Sequence, residues 1–364
     1  MKKSKFIVPR FLFESCLFVF ALIFSINFYA CNNSPVSPNQ GIGLDSARYN
    51  TKQYHLYMGP WYSYLADSIN IFAGNPSSLI LINANDSSQK TFFFGDNFSC
   101  NYMSGRGQEI YFVGQNWNDP TYYSKPRMKK WTGSGFKEIP IIDSSNKYYA
   151  LYTVFLASNN DVWSGGEKGN ILKYSNGEFT KYQFDSSFQY TRFFNDELQN
   201  LYCMQERDSS NPEGTYRKGY HYFYKYLSQD WNLVFLYISE TSNEFDTKIT
   251  PSQVGNEILG VGKDGIYKFD GNSYRKIINS ENFEFNNWSS ISGSGSNNIL
   301  AVGYNGNESG LLSFYNWNGK KWSKEYKDIG LFYPFITYAN NNYLCSSLIE
   351  LFQGDIYYFK KIKK

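Results

Sequence analysis

The sequence predicts an all-β body, a seven-bladed β-propeller of four-stranded antiparallel blades. Three observations predict it: the composition, a recurring strand-and-turn unit, and the spacing at which that unit recurs. The chain has 364 residues, 20% aromatic and 18% charged, enough apolar material for a large core and too much for general disorder. Its 33 Tyr, 31 Phe and 29 Gly, with many Asn and Ser, favour strands and tight turns over helices. The net charge of +3 is too small to mark a nucleic-acid ligand, and the lysines are scattered, so nucleic acid is set aside.

The first element is a leader. Lys2, Lys3, Lys5 and Arg10 precede the apolar run "LFVFALIFSINFYA", residues 17–30, which ends at Cys31. That is the layout of a bacterial export signal, expected over residues 1–30. Ala30-Cys31 resembles the cleavage site of bacterial lipoproteins, which implies that Cys31 becomes the lipidated first residue of the mature chain. The alternatives are an uncleaved anchor helix over Phe11–Ala30, about long enough to span a bilayer, and ordinary secretion. Each places the body outside the cytoplasm, and the lipoprotein reading favours the outer membrane or cell surface. Residues 31–50, with prolines, small polar residues and no hydrophobic period, form a tether reaching on the order of 25 Å.

The repeating body is expected over residues 51–364. The stretch "DVWSGGEKGNILKYSNGEFTKY", residues 161–182, contains an apolar run, glycines, a second run, an Asn-Gly turn and an aromatic strand. Equivalent runs end at Gly74, Gly114, Gly165, Met204, Gly262, Gly303 and Ser346, spaced by 40, 51, 39, 58, 41 and 43 residues. A period near 45 with variable insertions is the signature of four-stranded propeller blades. In residues 288–326 the strands are expected at Trp288–Gly293, Ile299–Gly303, Leu311–Tyr315 and Lys321–Tyr326. Asn160–Gly165 followed by Gly169–Tyr174 resembles the repeats of bacterial envelope propellers, including sensor-associated ones, with a Val-Trp pair, a Gly and then a Gly-x-Ile-x-x-Tyr strand. The resemblance implies architecture and leaves function open. The ring closes either by packing between the first and last blades, with "DIYYFKKI" as the last outer strand, or by "QYHLY", residues 53–57, adding a latch strand. The latch is preferred.

The chemistry-bearing residue types are sparse. Cys203 and Cys345 fall in a column with Ala73, Val113, Ser164, Val261 and Val302, small residues suited to packing between sheets. No disulfide is expected, because equivalent positions in different blades lie too far apart. With only His55 and His221 and no metal-ligand spacing, neither a metal nor a cofactor is expected. Glu167 and Asp264 occupy corresponding turns and read as solvated turn residues, since an acid–base pair must be held at a defined separation. The sequence has no nucleophile elbow, phosphate loop, repeated aspartate box or EF-hand loop. Lys137, Lys181, Lys276, Lys324 and Lys360 lie on expected outer strands, where a charge discourages pairing with another chain.

Insertions after the second strands, residues 115–130, 205–221 and 304–310, should emerge on one face together with the connection at residues 237–248. Loops on a rigid scaffold carry function, so the expected ligand-binding residues are Asn116, Trp117, Asp119, Tyr122, Tyr123, Arg207, Tyr216, Arg217 and Tyr304. The leading expectation is a monomeric, non-catalytic binding module, tethered to the membrane by lipid, that recognises an envelope protein or a glycan. The alternatives are a polysaccharide-acting enzyme with carboxylates in the central funnel, and a structural scaffold lipoprotein.

Overall fold

The computed structural model describes residues 49–361 apart from 57–61, 68, 96, 117–124, 142–148, 211–215, 243–247, 281–282, 285–289, 306–311, 330–331, 340–341 and 351–352. The leader, Cys31 and most of the tether lie outside the described residues. The described chain is all-β, with one 3-10 turn at Glu167–Gly169.

The unit at 161–182 is the second, third and fourth strand of one blade. Strands Leu151–Leu156, Val162–Gly166, Asn170–Ser175 and Glu178–Gln183 pair antiparallel in chain order. Asn176 and Gly177, with φ of 52° and 89°, make the two-residue connection between Ser175 and Glu178. Positive φ at both positions is what the twist of a tight hairpin demands, and Asn-Gly supplies it at little cost. Val162 to Gly166 are all buried because a blade is covered by a neighbour on each side.

The same order holds at 62–93, 98–139, 190–242 and 250–279, and every recurrent run identified in the sequence lies on a second strand. The first strands touch in succession: Tyr62–Leu65 meets Phe98–Arg106, which meets Leu151–Leu156, then Tyr190–Asn195, Thr250–Val254, Ile291–Gly295 and Phe332–Ala339. Phe332–Ala339 meets Tyr62–Leu65 again, so the first strands ring a common axis.

Two expectations are corrected. Instead of seven four-stranded blades, six sheets have the four-stranded form. The strands of 283–329 make a five-stranded sheet, because Asn298–Asn305 outruns its inner partner Ile291–Gly295 and its far end pairs with Phe283–Glu284. Second, the preferred latch does close the last sheet, over Tyr49–Leu56 instead of 53–57, so "DIYYFKKI" is not an outer strand and the edge role expected of Lys360 falls away. Gln353–Lys361 is a third strand, flanked by Asn342–Glu350 and by Tyr49–Leu56, which pairs with it over eight positions. Residues 49–56 thus supply the fourth strand of the last sheet, and Lys360 sits inside a sheet instead of guarding an edge.

The core is a series of layers between adjacent sheets. Tyr62, Phe72, Phe98, Phe112 and Trp131 fill one layer. Trp163, Phe193, Cys203 and Trp231 fill the layer between 151–183 and 190–242. Cys100 and Cys203 are buried free thiols, and burial pushes both upward, Cys100 to about 12.

Candidate functional site at the axial rim

Antiparallel register places the starts of the first strands, the ends of the second strands and the starts of the third strands on one face of the ring. In the 190–242 sheet, Tyr190 lies opposite Glu206, and Arg207 opposite Tyr220. This is the face on which the insertions were expected.

Near the axis the rim is aromatic. Tyr190, 55% exposed, and Tyr152 project from adjacent first strands. Their strands come close because Gly165 has no side chain: a Cβ there would lie 2.4 Å from Thr191 Cβ. The Tyr152 hydroxyl donates to Glu167 Oε1 at 2.8 Å. Burial, then the Glu167 carboxylate and the neighbouring Tyr190, push the Tyr152 phenol far above its ordinary value. Arg192, two residues on from Tyr190, is exposed and donates to the Pro251 carbonyl at 3.3 Å. Two aromatic faces and a carboxylate therefore share this part of the rim, while the Arg192 guanidinium is held toward the 250–279 sheet.

Away from the axis, the 190–242 sheet outgrows the others. Its second to fourth strands, Leu201–Ser210, Tyr216–Leu227 and Asp230–Ser242, run 10, 12 and 13 residues. The segment expected as an inserted loop is thus largely strand, paired from Tyr202–Lys225 out to Ser210–Arg217. The signal was present in the sequence: Tyr220, Tyr222, Tyr224 and Tyr226 alternate with period two, which belongs to a strand.

One face of this extension is a buried polar row across three strands. His221 Nε2 shares a hydrogen bond with Ser239 Oγ at 3.0 Å, and His221 Nδ1 lies 3.7 Å from Glu206 Oε2. Lys248 Nζ holds Glu206 at 3.1 Å. Burial outweighs the nearby carboxylate and lowers His221 to about 4, leaving the ring neutral near pH 7. Burial works against Glu206 ionisation, but His221, Lys248 and Arg192 more than offset it and hold the carboxyl below its ordinary range. The order of groups is that of a Ser–His–carboxylate relay. Ser239 is only 2% exposed, however, and Nδ1 lacks the hydrogen bond that would orient the ring. The row is a structural brace.

On the opposite face Arg207 lies over Tyr220 and Tyr222, 5.0 and 5.7 Å from the ring centres, and donates to the Tyr222 hydroxyl at 3.0 Å. Arg217 does not join it. Arg217 is exposed and sits 3.6 Å from Asp208 on the brace side. Asn116 ends its strand on the rim face, half-buried. Trp117, Asp119, Tyr122 and Tyr123 lie outside the described residues. Tyr216 and Tyr304 are strand positions whose side chains also lie outside them. Of the three expected residues whose side chains are described, Arg207 and Arg217 lie on opposite faces of their sheet, and Tyr152, Tyr190 and Arg192, on short first strands without insertions, were not anticipated.

Glu167 and Asp264 do not pair. Asp264 is ion-paired to Lys276 and accepts from the Tyr267 hydroxyl at 2.7 Å. Among the described residues no group of three or more potential metal ligands occurs, and no helix is long and apolar enough to cross a membrane.

No protein-family model matches the sequence, and no curated protein matches it. Solved structures do. YCF48 bound to D1 peptide superposes with a TM-score of 0.55 at 11% identity, covering 89% of this chain and 98% of that one. YCF48 from Cyanidioschyzon merolae gives 0.53 at 12% identity, covering 85% and 98%. At this identity the likeness shows the propeller fold alone.

Proposed function

We propose that the chain is a non-catalytic, membrane-tethered binding propeller of the cell envelope that takes a segment of a partner protein at its axial rim. The observation that carries the reading is the exposed Tyr152–Tyr190 pair beside Glu167, with Arg192 further along the Tyr190 strand. Rigid aromatics with a cation and an anion at hand suit a peptide, whose backbone and side chains offer both apolar and charged groups. A propeller of the same fold, YCF48, has been captured with a D1 peptide, so such a frame can hold one. The leader and Cys31 support delivery to the membrane surface.

The test is photo-crosslinking in intact cells from a probe at Tyr190, with Tyr152→Ala and Arg192→Ala in parallel. A single protein partner, lost in both variants, supports the reading. A partner that persists in both variants, or crosslinking to glycan alone, overturns it. Metabolic labelling with a fatty-acid analogue, abolished in Cys31→Ser, tests the tether separately.

A further inference from the structure

We infer that two copies of this chain pair edge to edge through the outer strand Asp230–Ser242, forming a two-fold dimer by β-strand addition. Outer strands leave a row of unpaired backbone groups along their free side, and proteins guard them with short lengths and charges, lysine above all. This protein does so elsewhere: Gln89–Phe93, Phe136–Ile139, Glu178–Gln183, Tyr274–Asn279 and Trp322–Ile329 are four to eight residues long, and each carries a lysine. Asp230–Ser242 has 13 residues and no Lys, Arg or Pro. It exposes Leu233, Leu236 and Ile238 at 54%, 41% and 42%.

The strand is also matched to its own copy. A bulge at Val234 interrupts its pairing with the third strand, and from Phe235 to Ser242 the register is regular. Antiparallel pairing about Ile238 puts Ile238 opposite itself and Leu236 opposite Glu240, residues of one face. It puts Tyr237 opposite Ser239 on the other. The two Glu240 carboxylates would then be offset by four residues, about 13 Å along the strand, which exceeds the screening length of about 8 Å at physiological salt. No like charges face each other, and each Glu240 keeps Lys218 of its own chain at 3.4 Å. A self-matched apolar centre with its acids held apart is what an isologous contact requires. The dimer is independent of the rim, which stays open in both copies.

Sedimentation of the full chain in non-ionic detergent, across about 1–100 μM, tests this. A dimer is expected that Ile238→Lys weakens about 30-fold or more, as loss of a central contact does. Leu198→Lys, at an exposed site on a turn, should leave it intact. Should Ile238→Lys prevent folding, Ile238→Cys decides: on the axis its two Cα atoms come within disulfide reach, so oxidation should give a covalent dimer that wild type and Leu198→Cys do not. A wild-type monomer throughout the range overturns the inference. So does a dimer untouched by Ile238→Lys, or no crosslink from Ile238→Cys.

Discussion

Acidification from pH 7 to pH 5 should destabilise this protein through one side chain. His221 is buried and its pKa is lowered to about 4, against about 6.5 in an unfolded chain. A group whose folded value is depressed takes up its proton first in the unfolded state, so the stability it allows is present above pH 6.5 and is lost as pH falls toward 4. Linkage over these two values gives a loss of about 2 kcal/mol between pH 7 and pH 5. Glu206 shifts in the same direction, but its effect falls below the ordinary carboxylate range and outside this window. The chain has only two histidines, so His55→Gln is a complete control. Guanidinium unfolding at pH 7, 6 and 5, followed by tryptophan fluorescence, should show the loss in wild type and His55→Gln and a nearly flat response in His221→Gln. An unchanged slope in His221→Gln would refute the assignment of this burial penalty to the brace.

Two further outcomes follow from the packing and the closure. Trp163, flanked by Tyr182, Tyr226 and Trp231, fills the layer between 151–183 and 190–242, so Trp163→Ala should cost about 3–5 kcal/mol in the same unfolding assay. In the latch strand Tyr49–Leu56, adjacent amide groups point to opposite sides. Of Gln53→Pro and Tyr54→Pro, one should therefore lose a ladder bond and about 3 kcal/mol while the other loses much less.

The fold was legible because its signals are local and repeated. The Asn176-Gly177 turn, the buried Val162–Gly166 run and the 45-residue period each specify strands without knowledge of distant partners. Ring closure was only half legible: nothing local distinguishes a terminal strand that latches from one that does not, since the pairing of Tyr49 with Lys361 spans nearly the whole described chain. The site was harder still. Expectation followed insertions, and the described ends of 205–221, residues 205–210 and 216–221, prolong strands, the second of them opening the alternating tyrosines that run on to Tyr226. Tyr152 and Tyr190 carry no sequence mark of exposure, since they lie in strands like those of the core. Only the ring turns them toward the axis.

The brace explains how one sheet can outgrow its neighbours. The apolar layer of Phe223, Phe235, Phe269 and Tyr274 covers the lower part of the 190–242 sheet. Beyond it the strands of 250–279 are too short to supply more apolar cover. His221 and Ser239 share a hydrogen bond there instead, and Lys248, just before Thr250–Val254, pairs with Glu206 and ties the extension to the next blade. A buried ion pair of this kind is costly to break and nearly neutral to remove whole. Lys248→Met alone, leaving Glu206 buried without its cation, should cost about 3 kcal/mol. Glu206→Gln together with Lys248→Met should recover most of that loss in a double-mutant cycle. If the double variant is instead as unstable as the two single losses added, the two residues act independently, and the extension is held by backbone pairing alone.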